Sequence, residues 1–184
     1  MKEDNDIFKK FRDSFSKIDG HFHILEQRVP VERQMEYFKY SEKIRKDQDK
    51  PDISKMDFSV FEDSLDDPES TVEHKKYVLS ILATSRQVKA YRILEEYAQA
   101  PDPDVADWAY MALMESRIAL ESELSDEKQI YISTGLGGKG EKLRFYVLIL
   151  ANELKPFLEY KKKVIEREFP YSLENAGCEI ERLT

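Results

Sequence analysis

Pro68 and Pro103 lie thirty-five residues apart, and each stands in an acidic turn just ahead of an apolar run with helical spacing. The two stretches read SLDDPESTVEHKKYVLSIL (64–82) and AQAPDPDVADWAYMALMES (98–116). Ser70 or Thr71 can cap a helix in the first, and Asp102 or Asp104 in the second, because their side-chain oxygens accept from the unpaired N–H groups of a first turn. Between them, SRQVKAYRILEEYAQ (85–99) sets Ala90, Leu94, Tyr97 and Ala98 on one helical stripe. Helix, tight turn, helix and acidic-Pro turn together predict a helical-hairpin repeat of about thirty-five residues, within the range of stacked α-solenoid units. A sequence with this period is committed to side-by-side helices in its middle third.

Val105, Ala109, Ala112 and Leu113, within DPDVADWAYMAL (102–113), occupy the positions expected in the second helix of a HEAT-type repeat. The stretch from about 65 to 124 thus resembles a HEAT-like, armadillo-type helical repeat. Ala106 and Asp107 stand where the family carries a basic residue, and the unit around Val72 lacks the alanines. The resemblance implies a short α-solenoid of stacked antiparallel hairpins and a habit of binding proteins, with no chemistry attached.

Outside that stretch the period changes. Ile7, Phe8, Phe11, Phe15 and Ile18 predict a helix over 3–18, HFHIL (21–25) alternates like a short strand or extended connector, and Pro30 opens a helix expected to turn Val31, Met35 and Phe38 inward. KDQDKPD (46–52) reads as a linker. QIYIST (129–134) alternates, LRFYVLIL (143–150) is apolar on both faces like a central strand, and CEIERL (178–183) alternates weakly. PFLEYKKKVIEREF, from Pro156, predicts a helix with Phe157, Tyr160, Val164 and Phe169 in the core. The expected organisation is N-terminal helices over 1–50, helical hairpins over 51–128, and a small antiparallel β-sheet with one helix over 129–184.

Charge narrows the partners. Residues 52–130 hold eight basic against eighteen acidic residues, whereas the two flanks are each basic by one, so the middle carries the whole excess of the chain's −8. An acidic surface repels phosphates and argues against nucleic acid, and it attracts a basic or amphipathic segment of another protein. Asp66, Asp67, Glu95, Asp102, Asp104 and Asp107 are the expected contributors; Trp108 is read first as a core residue, with an exposed aromatic anchor for the partner as the alternative. One cysteine, Cys178, allows no internal disulfide and points to a reducing, cytoplasmic setting. The N-terminal MKEDNDIFKKFRD lacks an apolar run, so no secretory signal is expected, and FYVLILA is too short to span a bilayer.

Four of the six glycines, Gly135, Gly137, Gly138 and Gly140, fall in TGLGGKGEKLRF (134–145) beside Lys139, Lys142 and Arg144. A hairpin loop is the first reading, since glycine permits tight reversal. The alternative is an anion-binding nest for a phosphate or nucleotide in a sensor or small enzyme. The Walker pattern fails at Glu141, and a dinucleotide loop requires a following helix. His21 and His23 share one side of a strand but lack further ligands nearby, so no metal is expected. The acidic runs lack Ca²⁺-loop spacing, no Ser, Cys or Thr has an evident base, and no catalytic residue or cofactor is assigned. The overall expectation is a non-enzymatic scaffold or adaptor, with self-association as a homodimer a further outcome of an uncovered sheet edge or stack end.

Overall fold

A computed structural model of the chain describes residues 21–47, 52–125, 127–151 and 155–184. The helix expected over 3–18 and most of the linker expected over 46–52 lie outside them. The described chain is mainly helical, with a few short strands. In order, it runs β1 (His21–Ile24), α1 (Val31–Lys46), α2 (Ser59–Asp66), α3 (Val72–Thr84), α4 (Val88–Tyr97), α5 (Ala106–Ser125), β2 (Gln129–Ile132), β3 (Gly138–Lys139), β4 (Lys142–Leu143) and α6 (Glu159–Asn175). The described residues divide into two compact units, the first ending at Leu143 and the second running from Arg144 to Thr184.

In the first unit α3 is central and packs against α5, α4, α1 and α2. Its start follows the sequence: Thr71 Oγ1 accepts from the His74 N–H at 3.2 Å. The second acidic-Pro turn works differently. Pro103–Val105 forms a 3₁₀ turn with no side-chain cap, and Asp102 instead bonds Lys75 Nζ at 2.7 Å. Leu79, Leu82 and Ala83 of α3, Ala90 and Leu94 of α4, and Ala109 and Ala112 of α5 are fully enclosed. Alanine at these crossings lets backbones approach closely, as the packing of small residues into grooves requires.

α1 departs from expectation. Val31, Met35 and Phe38 are exposed, and Gln34, Tyr37, Ser41 and Ile44 are buried instead. A polar stripe can face inward because each group finds a partner. Gln34 Nε2 donates to the Val29 carbonyl at 2.7 Å and to Ser133 Oγ at 3.0 Å. The Tyr37 hydroxyl donates to Glu115 Oε2 at 2.5 Å, and Ser41 Oγ reaches both Glu115 oxygens at 2.7 and 2.6 Å. Satisfied buried polar groups of this kind cost little, whereas unsatisfied ones cost 1–3 kcal/mol each by rough reckoning.

The strands also rearrange. β2 pairs with β1 in parallel, Phe22 opposite Ile130 and Ile24 opposite Ile132, so HFHIL supplies a partner from 108 residues away. β3 and β4 form a two-rung antiparallel hairpin. The strand expected over 143–150 ends at Leu143, and no strand forms over 178–183. A strand requires a neighbour for its ladder, and the apolar pattern of LRFYVLIL does not supply one.

In the second unit α6 begins at Glu159, later than Pro156 suggests, and buries no residue fully. Its half-buried stripe is Ile165, Phe169 and Leu173, whereas Tyr160 and Val164 are exposed. Among the described residues no helix is long and apolar enough to cross a membrane.

Candidate functional site

Three of the seven residues expected to meet a partner converge on one cavity. Asp104 follows Pro103 in the 3₁₀ turn, Asp107 and Trp108 open α5, and they line a cavity of about 230 Å³ with Arg33 and Tyr37 of α1 and Lys76 of α3. Trp108 forms its inner wall. The indole is buried, stacks edge-on to Tyr37 and Tyr40 at 5.2 and 5.3 Å, and donates from Nε1 to Ser80 Oγ at 3.0 Å. Lys76 Nζ sits 4.8 Å from the ring centre, within cation–π range.

The charges in the cavity do not balance locally. Arg33 Nη1 bonds Glu36 at 3.0 Å, and Lys76 Nζ lies 3.3 Å from Glu36 and 3.2 Å from Glu73. Arg33 beside it, with Lys76, holds the Glu36 carboxyl below its ordinary range. Burial alone would push the Lys76 ammonium down; its bonds to Glu73 and Glu36 outweigh that and raise it. Both cations are thus answered. Asp104 and Asp107 make no ion pair with another described residue, and Asp107 is half-buried. The cavity therefore presents uncompensated negative charge beside an aromatic wall.

The other expected acids are placed elsewhere. Glu95 bonds Arg92 and the Tyr91 hydroxyl, Asp102 neutralises the buried Lys75, and Asp67 Oδ1 accepts from the Glu69 N–H in its own turn. Asp66 is exposed, away from the cavity lining. Arg33, Tyr37 and Lys76 were absent from the sequence expectation. The spacing of Gln34, Tyr37, Ser41 and Ile44 is helical and legible, but a stripe half polar is not recognisable as buried until its partners arrive.

Beneath the cavity, burial first, and then the charge of Glu115 and the bond to it, push the Tyr37 phenol well above its ordinary value of about 10. The sign follows directly: the folded state favours the neutral phenol, so its stabilisation is complete below about pH 10 and fades as pH rises beyond. Tyr37→Phe is expected to cost about 1.5 kcal/mol at neutral pH, the scale of a bond to a charged acceptor. Urea titrations at increasing pH should show the gap to wild type narrowing above about pH 10; a constant gap would contradict the arrangement.

The glycine stretch folds as a tight loop around Glu26. The Gly138 N–H donates to the Glu26 carbonyl at 3.0 Å, the Gly140 N–H to the Glu26 carboxylate at 3.0 Å, and the Gly135 N–H to Ser133 Oγ at 3.0 Å. A carboxylate of the chain itself thus takes a donor that an external anion would use. Gly135, Gly137 and Gly138 are buried and Lys139 is exposed; β4, carrying Lys142, follows the turn rather than a helix. Arg144 begins the second unit, where it grips Glu181 at 2.6 and 2.7 Å. His21 and His23 do share one side: His23 stacks on Tyr131 and bonds Gln129 at 2.7 Å. Among the described residues no group of three or more His, Cys, Asp or Glu is arranged to hold a metal ion. Comparison with family profiles, with curated proteins and with solved structures finds no match to this chain.

Proposed function

We propose that this chain is a non-enzymatic protein-interaction module, a scaffold or adaptor whose helices act as a short HEAT-like stack. Its acidic side docks a basic or amphipathic segment of another protein in a reducing, cytoplasmic setting. The observation that carries this reading is the meeting of Asp104, Asp107 and Trp108 at one cavity, with the neighbouring cations already neutralised. An incoming lysine or arginine would meet two carboxylates that no described residue pairs, while its methylene stem lay along Pro103 and the aromatic wall. Charge would steer the encounter and make it salt-dependent.

Fluorescence anisotropy with labelled lysine- and arginine-rich amphipathic peptides tests it. Asp104→Asn combined with Asp107→Asn is expected to weaken binding about tenfold, and raising salt from about 0.05 M to about 0.5 M to do the same. Binding indifferent to both changes would remove this cavity as the docking point. The expected alternative, phosphate or nucleotide binding at 134–142, gains no support from a loop whose glycine N–H groups already serve Glu26 and Ser133.

A further inference from the structure

Lys75 carries a buried charge that the docking cavity does not touch. Its side chain is only 5% exposed, and it stands at the start of α3, where a cation opposes the helix dipole. An ammonium buried there is costly without a partner and gains α3 nothing locally. The partner is remote in sequence. Lys75 Nζ donates to Asp102 Oδ2 at 2.7 Å, across 27 residues. This bond comes first in raising the ammonium above its ordinary value. Burial opposes it, and the charges of Asp102 itself and of Asp67, in the other acidic-Pro turn, add to it.

Asp102 opens the turn that carries the cavity's two acids. Residues 102–107 hold three aspartates and no base, so the turn repels itself. No side-chain cap fixes the Pro103–Val105 3₁₀ turn. It is anchored at both ends instead. Val105 is buried, and its N–H donates to the Asp102 carbonyl at 3.0 Å. At Asp102 the N–H donates to the Tyr97 hydroxyl at 3.4 Å, and the carboxylate meets Lys75. Asp104 and Asp107 line the cavity and Asp102 does not. Lys75 therefore neutralises the one acid of the three that the cavity does not display.

We infer that Lys75 is the positioning residue of the docking site: its bond to Asp102 fixes the 102–107 turn, so that Asp104 and Asp107 stand ready for the incoming cation. The inference rests on the docking reading above. Field and geometry act on different rates, since charge sets the on-rate whereas preorganised close contacts set the off-rate. A neutral residue at position 75 makes the surface more acidic by one charge, which alone would tighten a basic peptide. A positioning role predicts the opposite.

Stopped-flow anisotropy, with the full chain and a labelled lysine- and arginine-rich amphipathic peptide, reads both rates. Lys75→Met is expected to raise the off-rate about tenfold, with the on-rate equal or higher. Loss of folded protein would do the reverse, lowering the apparent on-rate and leaving the off-rate alone. Asp102→Asn breaks the same bond from the other side and should raise the off-rate by a similar factor; it decides the matter if Lys75→Met fails to hold its circular dichroism. Lys75→Met combined with Asp102→Asn should add nothing further, as for two groups acting as one unit. Off-rates within about twofold of wild type in these variants, where Asp104→Asn with Asp107→Asn still weakens binding, overturn this inference alone. Binding indifferent to the Asp104 and Asp107 changes overturns the docking reading and this inference with it.

Discussion

Trp108→Ala is expected to destabilise the first unit by about 3–5 kcal/mol, the range for removing a buried aromatic. The indole fills the space between α1, α3 and α5. Its loss removes edge contacts with Tyr37 and Tyr40, the Lys76 cation–π contact, and the donor to Ser80 Oγ. The cavity beside it would enlarge rather than collapse, since Tyr37 is held by Glu115. Trp108→Phe keeps most of the packing and loses the N–H donor, so about 1–2 kcal/mol is expected. Urea unfolding followed by circular dichroism measures both. A cost below about 1 kcal/mol for Trp108→Ala would mean that the ring is not the wall described. Trp108 is thus first a core residue that lends one surface to the cavity, and a loss of peptide binding in Trp108→Ala would not by itself locate the docking point. Asp104 and Asp107, at the rim, are the informative positions for that purpose.

Gly138→Ala is the second large effect, at about 3 kcal/mol, the upper range for forcing extra volume into a packed site. A Cβ there would run into the Ile24 side chain and come within 2.6 Å of the Lys142 carbonyl oxygen, so β1 and β4 would both have to shift. The Gly138 N–H bond to Glu26 would stretch with them. Gly140→Ala is the control. A Cβ added there would meet nothing within 4 Å and would bring only the strain of φ +57°, so a cost of about 1 kcal/mol is expected. Thermal or urea unfolding should rank Gly138→Ala well below Gly140→Ala in stability. Equal effects would show that loop conformation, not close approach, explains the glycines.

These two sites also mark where sequence reading succeeds and where it runs short. The surplus of glycine in 134–142 is visible in the sequence. That one of these glycines answers to Ile24, more than a hundred residues earlier, is not, because close approach is a property of the folded chain. Asp104, Asp107 and Trp108 were legible as acid and aromatic beside an acidic-Pro turn. Which of the surrounding acids stay open was not, since Glu95 and Asp102 look the same in sequence and are taken by Arg92 and the buried Lys75.

The helices of the middle region follow from the sequence by itself, because a helix bonds each N–H four residues back and its amphipathic period is written locally. Tertiary structure alone decided which stripe of α1 turns inward. Tyr37 and Ser41 are buried only because Glu115, 78 and 74 residues away, arrives to accept their hydrogens. It also decided the strands. HFHIL found β2 as a parallel partner, while the more strand-like FYVLIL joins no strand ladder among the described residues. A ladder needs a neighbour from elsewhere in space, and no local pattern names that neighbour.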